Sequence, residues 1–428
     1  MGITGERKTD EMISSYRVMC GACNAELADD RAWSKCPTCG GEIEFDYALN
    51  EARIDRELPG IWRFADLLPL KAPGDAVTLF EGNTPLIPAR LSGATGVELS
   101  WKWEGANPTG AQKDRALCVG IAKGRELGYT SVVIGSTGSA GLSSAAYAAR
   151  AGMAQIVLVS RNAPSHRVIP MIALGAKVFE VDGSIEDTLD LVAAARDELG
   201  AYETSTYREA NPYQSEGAKT LGYELHAQWL AAGRIPDWLV IPVGGGGTLA
   251  AVWRAFQDLR GMGIADRLPR LVGVQPERYN GLEIAMQQGL ATAEELQEIP
   301  FNDVPPTVLV KLAHTFSHDG ADALAAIRDS DGTVVSVSDE DAFDAQRQIG
   351  RTEGLYAEPS STVALTAIQR LRDAGTIREG EVVTGVLTGA GHRETHVLAS
   401  EAMAPERIAM QDGLDRIGSH LATREQQA

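Results

Sequence analysis

The chain has 428 residues, of which 44% are hydrophobic and 23% charged, a composition typical of a globular protein with more than one domain. Acidic residues outnumber basic ones by 58 to 39, which gives a net charge of −19. This charge disfavours nucleic acids and anionic membrane surfaces as partners, because both require basic patches. The first ten residues are polar and no run of about 18 apolar residues occurs, so the sequence predicts a cytoplasmic protein without membrane-spanning segments.

Two cysteine pairs follow a polar tail that is predicted for residues 1–15. Cys20 and Cys23 form the first pair, and Cys36 and Cys39 form the second. Two Cys-x-x-Cys pairs can place four thiolates around Zn²⁺, and the spacing is typical of a zinc ribbon. Because all four ligands are cysteine, no position is left open for water, and the predicted role of the zinc is structural. The alternative is a knuckle of the same shape that holds no metal.

Strand-like and helix-like segments alternate from residue 97 onward. The pattern predicts strands at residues 97–103, 132–135, 155–160, 177–181, 238–243, 270–275, 333–338 and 382–387, after a ribbon strand at 42–47. It predicts helices at residues 142–151, 165–174, 185–198, 216–232, 249–259, 339–348 and 362–373. Such alternation predicts an α/β fold with an open, mostly parallel sheet and helices on both faces. Residues 48–80 are predicted to be a connector, and residues 400–428 a helical and then polar segment on the surface.

A polar turn at residues 105–112 places Lys113 at the head of an apolar, helix-like run. Asn107-Pro108 and Thr109-Gly110 are turn dipeptides, so the helix is expected to begin near Gln112. If the turn folds back under a sheet, the amine is desolvated, its pKa falls and it becomes a nucleophile. The alternative is a surface lysine paired with Asp114 or Glu104.

Four consecutive glycines separate the predicted strand at 238–243 from the predicted helix at 249–259. We call residues 243–248, Val-Gly-Gly-Gly-Gly-Thr, the anion loop. Bare N–H groups, the helix N-terminus and the Thr248 hydroxyl suit a single phosphate monoester. The loop matches neither the dinucleotide fingerprint nor a Walker loop. The alternative is a plain flexible turn, although four glycines carry a cost in backbone entropy.

A second loop of this design lies at residues 135–144, Gly-Ser-Thr-Gly-Ser-Ala-Gly-Leu-Ser-Ser, which we call the serine loop. Its hydroxyls and free N–H groups suit a carboxylate, and the alternative is a helix cap with spare serines. Thr388 follows the last predicted strand, where a hydroxyl can meet a ligand. His392, beside Arg393, is left unassigned.

One ligand set, a cofactor together with its substrate, satisfies the lysine and both loops. Pyridoxal phosphate joined to Lys113 as a Schiff base would place its aldehyde on the amine and its phosphate in the anion loop. An amino-acid substrate would place its carboxylate in the serine loop. The sequence therefore predicts a pyridoxal-phosphate enzyme that acts on an amino acid.

These motifs resemble those of threonine synthases, which belong to the fold-type II, tryptophan-synthase-β-like family of pyridoxal-phosphate enzymes. Residues 81–86, 103–115, 136–143, 211–220, 244–247 and 357–361 carry the resemblance, in matching order from about residue 80 to 395. Several relatives of this kind also carry an N-terminal zinc ribbon. The resemblance implies two open, mostly parallel α/β domains with the cofactor between them. The expected division is a zinc-ribbon-like segment at 1–50, a large domain at 51–100 and 212–400, a small domain at 101–211, and a tail at 401–428.

The resemblance also implies residue roles. Lys113 would be catalytic, and the cofactor would be held by Lys113, Ser139, Gly244, Gly245, Gly246, Gly247, Thr248 and Thr388, with Thr388 facing the pyridine nitrogen. The substrate would be bound by Lys102, Ser136, Thr137, Gly138 and Ala140, with Lys102 near a substrate phosphate. The implied reaction removes phosphate from O-phosphohomoserine and adds water to give threonine, and the implied assembly is a homodimer.

Two departures from the family pattern leave the substrate open. Ser139 stands where the family usually has asparagine, and Ala111-Gln112 stands where it usually has Ser-Phe. An ammonia-lyase or β-replacement enzyme that acts on serine, threonine, a diamino acid or another substituted amino acid is the second hypothesis. The third is a catalytically silent scaffold that binds zinc only.

Overall fold

The computed structural model describes residues 16–71, 77–161, 163–183, 185–301, 304–394, 408–412, 414–417 and 419. The tail predicted for residues 1–15 and most of the segment predicted for residues 400–428 lie outside these ranges. Residues up to Arg393 belong to one compact unit and those from Glu394 to a second. The described part of the second unit contains the 3-10 turn Met410–Asp412.

The strands and helices of the first unit follow each other in the predicted alternation. The strands are β1 Tyr16–Cys20, β2 Glu26–Leu27, β3 Ile43–Tyr47, β4 Leu86–Pro88, β5 Glu98–Trp103, β6 Ser131–Gly135, β7 Ala154–Ser160, β8 Lys177–Val181, β9 Tyr202–Glu203, β10 Trp238–Pro242, β11 Arg270–Pro276, β12 Thr333–Val337 and β13 Val382–Leu387. The helices are α1 Ser92–Thr95, α2 Lys113–Glu126, α3 Ser139–Ala151, α4 Ser165–Ala173, α5 Ile185–Leu199, α6 Pro212–Ala231, α7 Gly247–Gly261, α8 Gly281–Gln288, α9 Ala293–Gln297, α10 Gly320–Asp329, α11 Asp339–Glu353 and α12 Pro359–Asp373.

Three sheets form within the described residues. A small antiparallel sheet has the order β2-β1-β3, and we call residues 16–47 the ribbon. A six-stranded sheet has the order β12-β11-β10-β13-β5-β4, parallel except for β4, and a four-stranded parallel sheet has the order β8-β7-β6-β9. The α/β fold with mostly parallel sheets and a small N-terminal module is confirmed. The division of the chain into domains stays a prediction.

The central strands of the six-stranded sheet are buried on both faces. All residues of β10 and β13 are buried, which explains why these segments show no alternation of apolar and polar residues. Helices α6 and α7 pack beside one face, where Leu221, Leu225 and Phe256 join the core. The parallel pairing of β10 with β13 places their carboxyl ends, and the loops that follow them, side by side.

The connector predicted for residues 48–80 contributes to the core. It contains the 3-10 helix Gly60–Leu67, in which Ile61, Trp62, Phe64 and Leu67 are buried. The Nε1 group of Trp62 donates a hydrogen bond to Glu81 Oε1 at 2.7 Å. A 3-10 segment of two to three turns is too short for a helical period to stand out in the sequence. Helices α8, α9 and α10 are likewise absent from the sequence-based prediction.

Candidate active site

The turn before Lys113 is braced by its own side chains. Asp114 accepts hydrogen bonds from the N–H group of Thr109 at 2.7 Å and from its hydroxyl at 2.6 Å. Gln112 is the N-cap of α2, and Lys113 is its first residue. The turn dipeptides and the helix start are therefore placed as predicted.

Lys113 is half-buried, and burial lowers the pKa of its amine, although the nearby Asp319 carboxyl opposes that shift. The alternative of a surface lysine paired with Asp114 or Glu104 is wrong. Asp114 is engaged by Thr109, and Glu104 binds Arg115 at 2.7 Å. Across the described ranges, no carboxylate oxygen lies within 4.0 Å of the Lys113 amine.

The anion loop leaves β10 and enters α7 at Gly247. A second segment, residues 311–320, holds it from outside. The hydroxyl of Ser317 donates to the carbonyl of Gly244 at 2.8 Å, and the N–H of Asp319 donates to the carbonyl of Gly245 at 2.8 Å. The N–H groups of the first helical turn have no partner within the helix. They form a cradle of the chemistry that a phosphate group requires.

Glycine is needed where the loop touches this segment. Gly246 has a φ of +96°, in the left-handed region, and a Cβ on it would lie 2.5 Å from the carbonyl oxygen of Asp319. A Cβ on Gly247 would collide with the Asp319 carboxylate. A Cβ on Gly244 would lie 2.7 Å from the carbonyl oxygen of Lys311. Three of the four glycines, Gly244, Gly246 and Gly247, therefore allow close approach, and the alternative of a plain flexible turn does not explain these contacts.

A small pocket brings Lys113 and the anion loop together. Lys113, Gly247 and Thr248 line it, along with Gln112, Ala116, Thr206, Tyr207, Asn211, Gln214, Ser215 and Ala218. The hydroxyl of Thr248 donates to Gln112 Oε1 at 3.0 Å, which joins the lysine turn to the loop. An amine of lowered pKa beside a phosphate cradle fits a cofactor that has both an aldehyde and a phosphate.

Thr388 lies next to the lysine turn at the end of β13. Its carbonyl accepts a hydrogen bond from the N–H of Gln112 at 3.0 Å, and its hydroxyl lies 2.9 Å from that of Ser361. Ser361 also accepts a hydrogen bond from the N–H of Gly389 at 2.9 Å. The segment after β13 is thereby held against the head of α2.

The serine loop lies at the end of β6 and the start of α3. Ser136, Thr137 and Gly138 are half-buried, and Ser139 and Ala140 are buried. The hydroxyl of Ser143 donates to Asp114 at 2.6 Å, so α3 is tied to the head of α2. Residues 136–140 are not among those that line the Lys113 pocket.

Lys102 requires a correction. Its side chain is fully buried, and its ammonium lies 2.5 Å from Glu224 and donates to Gln228 and to the carbonyl of Thr84, each at 2.8 Å. These three acceptors take up the hydrogen atoms of the ammonium. The predicted contact between Lys102 and a substrate phosphate is therefore withdrawn.

The segment 311–320 contributes side chains that no motif in the sequence indicated. Burial, followed by the charges of Lys113 and His318, lowers the pKa of His314 to about 4. Burial also raises the pKa of Asp319 to about 6, against the Arg208 N–H group that lowers it. Perturbed groups cluster at functional sites, but only the fold brings these residues to the anion loop.

The four ribbon cysteines converge as predicted. Their sulfur atoms lie within 4.8 Å of one another. Backbone N–H groups, that of Cys23 first, lower the pKa of Cys20, and those of Cys39 and Thr38 lower the pKa of Cys36 to about 6. Sulfur atoms bound tetrahedrally at roughly 2.3 Å from one ion require separations of this order. The group therefore fits a metal ion.

Comparison with known proteins decides the family. The model of a family described as "Pyridoxal-phosphate dependent enzyme" matches residues 77–389. The chain belongs to this family. The match contains the lysine turn, both loops and Thr388, and the family implies the cofactor that the site fits. The chain is therefore a pyridoxal-phosphate dependent enzyme.

Relatives in this family include threonine synthases. The chain is 34% identical to threonine synthase from Methanosarcina acetivorans, over 87% of this chain and 91% of that protein. It is 32% identical to threonine synthase from Methanocaldococcus jannaschii, over 86% of this chain and 91% of that protein. Both alignments span most of each protein, so the resemblance to the threonine synthases is confirmed.

Solved structures of the same fold include maize serine racemase, with a TM-score of 0.61, 20% identity and coverage of 80% of this chain and 93% of that one. The processed form of threonine deaminase isoform 2 from Solanum lycopersicum gives a TM-score of 0.61 at 18% identity, with coverage of 75% and 88%. These likenesses establish the pyridoxal-phosphate enzyme fold of the family. In the part of the chain that the structure describes, no helix is both long and apolar enough to cross a membrane.

Proposed function

We propose that this pyridoxal-phosphate enzyme is a lyase of the threonine synthase type, which converts O-phosphohomoserine and water into threonine and phosphate. The similarity to threonine synthases over more than four-fifths of the chain supports this substrate. The observation that carries the proposal is the half-buried amine of Lys113, with its lowered pKa, in one pocket with Gly247 and Thr248 of the anion loop.

Each motif has a role in this reaction. Lys113 would hold the cofactor through its amine and would move protons at the substrate carbons. The N–H groups of Gly244, Gly245, Gly246 and Gly247, with the Thr248 hydroxyl, hold the cofactor phosphate. When bound, the pyridine ring withdraws electrons from the α-carbon of the amino acid and so makes its proton acidic.

The remaining motifs orient the ring and the substrate. Thr388 would offer a neutral hydroxyl to the pyridine nitrogen, and Ser361 holds that hydroxyl at 2.9 Å. Ser136, Thr137, Gly138 and Ala140 would bind the substrate carboxylate with hydroxyl and N–H groups, and Ser139 would help to hold the cofactor. Phosphate then leaves from the γ-carbon and water adds at the β-carbon.

The lining of the pocket favours a second candidate. Lys113 is its one cationic side chain among the described residues, and the polar remainder consists of amides and hydroxyls such as Thr206, Asn211 and Gln214. Proteins usually bind a phosphate ester with arginine or lysine. A neutral lining favours an uncharged substituent, as in an ammonia-lyase or β-replacement enzyme that acts on serine, threonine or a diamino acid.

One experiment separates the two candidates. Purified holoenzyme is mixed with O-phospho-L-homoserine, and released phosphate and threonine are quantified together. Equal release of both supports threonine synthesis. Release of neither, combined with ammonia or an oxo acid from free serine or threonine, supports the second candidate. The Lys113→Ala variant is the control, and we expect it to lose turnover and the covalent cofactor link that borohydride traps in the wild type.

The ribbon completes the proposal. Cys20, Cys23, Cys36 and Cys39 hold a structural Zn²⁺, because four thiolates leave no open position for catalysis. Metal analysis of the purified protein should give one zinc ion per chain.

We also infer a homodimer in the cytoplasm, and a division into the ribbon at 1–50, a large domain at 51–100 and 212–400, a small domain at 101–211 and a tail at 401–428. Sedimentation tests the assembly, and limited proteolysis tests the boundaries.

A further inference from the structure

The ribbon lies against the two helices that converge on the Lys113 pocket. Asp29 pairs with Lys123 of α2 at 2.8 Å, and the Tyr47 hydroxyl donates to Glu216 of α6 at 3.0 Å. Phe45 packs on Tyr213, with ring centroids 4.9 Å apart. Helix α2 begins at Lys113, and Gln214 and Ser215 in the first turn of α6 line the pocket. The ribbon therefore contacts the framework of the site, although it contributes no residue to the pocket.

The side chain of Arg208 links the region of the pocket to the ribbon. Its guanidinium donates to Glu42 at 2.8 Å and to the carbonyl of Ile43 at 3.0 Å. A third contact reaches Asp322 of α10 at 3.3 Å. The side chain is only 12% exposed, which favours a defined geometry over a mobile surface pair.

The backbone of the same residue faces the anion loop. The N–H of Arg208 donates to Asp319 Oδ1 at 2.9 Å. The neighbouring Tyr207 ring stacks on His318 with centroids 4.4 Å apart and an interplanar angle of 18°. Two adjacent residues thus bind two adjacent residues of segment 311–320, and Tyr207 also lines the pocket.

Asp319 completes the connection. Its N–H donates to the carbonyl of Gly245 at 2.8 Å. Its own carbonyl oxygen and carboxylate lie too close to Gly246 and Gly247 for either residue to carry a Cβ. The line of contacts runs from Glu42 and Ile43 through Arg208 and Asp319 to the anion loop. A loop of four glycines has large conformational freedom, so contacts that fix it before the ligand arrives reduce the entropy lost on binding.

We propose that Arg208 and Asp319 are positioning residues that couple the ribbon to the anion loop, so that the metal-loaded ribbon raises the affinity of the enzyme for its cofactor. This inference rests on the proposed function, in which the anion loop holds the cofactor phosphate and the cysteines hold zinc. It assigns to the ribbon a task at the active site, exerted without contact with the reacting atoms.

The test is a titration of cofactor-free protein with pyridoxal phosphate, followed by fluorescence, on full-length variants. Arg208→Ala removes the guanidinium and keeps the backbone N–H to Asp319. We expect its dissociation constant for the cofactor to rise at least about fivefold, the lower end of usual coupling between sites. Arg208→Lys keeps a cation near Glu42 and should restore most of the affinity.

The matched control is Arg17→Ala. Arg17 is a 56% exposed arginine that pairs with Asp46 and Glu26 inside the ribbon and reaches no residue of the site. The Arg17→Ala protein should have the same affinity for pyridoxal phosphate and the same zinc content as the wild type. A second route uses Glu42→Gln, which neutralises the nearer of the two exposed ribbon carboxylates that pair with Arg208, the other being Glu44 at 3.7 Å. It should shift affinity in the same direction as Arg208→Ala, and the double variant should add little.

Zinc removal gives an independent arm. A chelator should weaken cofactor binding by the wild type and leave the already weakened Arg208→Ala protein unchanged. The coupling would be overturned if Arg208→Ala bound pyridoxal phosphate as tightly as the wild type does. It would also be overturned if the chelator weakened cofactor binding equally in both proteins. A wild-type protein that binds no pyridoxal phosphate would overturn the proposed function itself. Circular dichroism and zinc analysis of each variant distinguish misfolding from lost coupling.

Discussion

At the scale of single residues, Gln112 illustrates how a departure from a family pattern acquires a role. It stands at the N-cap position of α2, its N–H donates to the carbonyl of Thr388, and its side-chain oxygen accepts a hydrogen bond from the hydroxyl of Thr248. One residue therefore touches both the strand end and the anion loop that flank Lys113. The Gln112 amide can also rotate so that its NH2 group donates to the Thr248 oxygen, which leaves the Thr248 hydroxyl hydrogen for a phosphate.

We expect Gln112→Ala to raise the dissociation constant for pyridoxal phosphate roughly two- to tenfold, which corresponds to loss of one hydrogen bond of about 0.5–1.5 kcal/mol. The covalent link to Lys113 should persist at saturating cofactor. Fluorescence titration measures the change. Gln369→Ala, which removes a 3.3 Å bond to Gln348 on the far helices α11 and α12, is the control. Equal affinity of the Gln112 variant and the wild type would contradict the role.

His314 makes stability depend on pH. Its pKa falls from an ordinary 6.5 to about 4 in the folded protein, through burial first and the charge of Lys113 second. The unfolded chain binds more protons than the folded chain between these two pH values. The contribution of His314 to the free energy of unfolding is therefore fully present above pH 6.5 and is lost as the pH falls toward 4.

From these two pKa values we expect His314 to lower the free energy of unfolding by about 2 kcal/mol between pH 7 and pH 5. Urea unfolding of the cofactor-free protein at both values measures it. The His314→Gln variant should show a correspondingly smaller difference, whereas His392→Gln, at an exposed position, should match the wild type. An unchanged pH dependence in His314→Gln would disprove the assignment.

At the scale of elements, the ribbon has only a small core of its own. Val18, Cys20, Cys36 and Ile43 are buried in it, and Tyr213 of α6 completes the cluster. So few apolar side chains do not stabilise an independent module, which is why such modules use a bound metal.

The element-scale prediction concerns Cys36→Ser. Loss of one thiolate should abolish zinc binding and lower the unfolding temperature of the ribbon, because metal binding and folding are coupled in such modules. Metal analysis and calorimetry measure both effects. Cys118→Ser alters the cysteine outside the cluster, which is buried in α2, and should retain the metal. A full zinc complement in Cys36→Ser would rule out the four-cysteine site.

At the scale of the whole molecule, a buried ionic network joins elements that are distant in the chain. Arg115 on α2 bonds to Glu104 at 2.7 Å and to Glu224 on α6 at 3.1 Å, and Glu224 also binds Lys102 on β5 at 2.5 Å. Burial would raise the pKa of Glu224, but Arg115 and Lys102 hold it well below its ordinary value. The carboxylate is therefore charged at neutral pH, and it fixes α2 and α6 against the six-stranded sheet.

Glu224→Gln should destabilise the fold by about 3–5 kcal/mol, because it leaves the buried Lys102 ammonium without its counter-ion, whereas Arg115 keeps Glu104. The free energy of unfolding in urea at neutral pH measures the loss. Glu98→Gln breaks a pair with Arg234 whose side chains are 62% and 51% exposed, and it should cost less than about 1 kcal/mol. Similar effects of the two substitutions would show that the network contributes little.

The sequence by itself determined the α/β class, the cysteine cluster, the glycine loop, the lysine turn and the family, because each of these is written in residues that are neighbours along the chain. Only the tertiary structure decided which side chains meet. It placed Lys102 in a buried ionic network with Glu224. It also joined Gln112 to Thr248, which are 136 residues apart in the chain, and Arg208 to Asp319, which are 111 residues apart. Contacts over such separations depend on how strands order in the sheets and how helices pack on them. No local spacing records that information, because the periodicity of a segment reports which of its faces is buried and not which partner covers it.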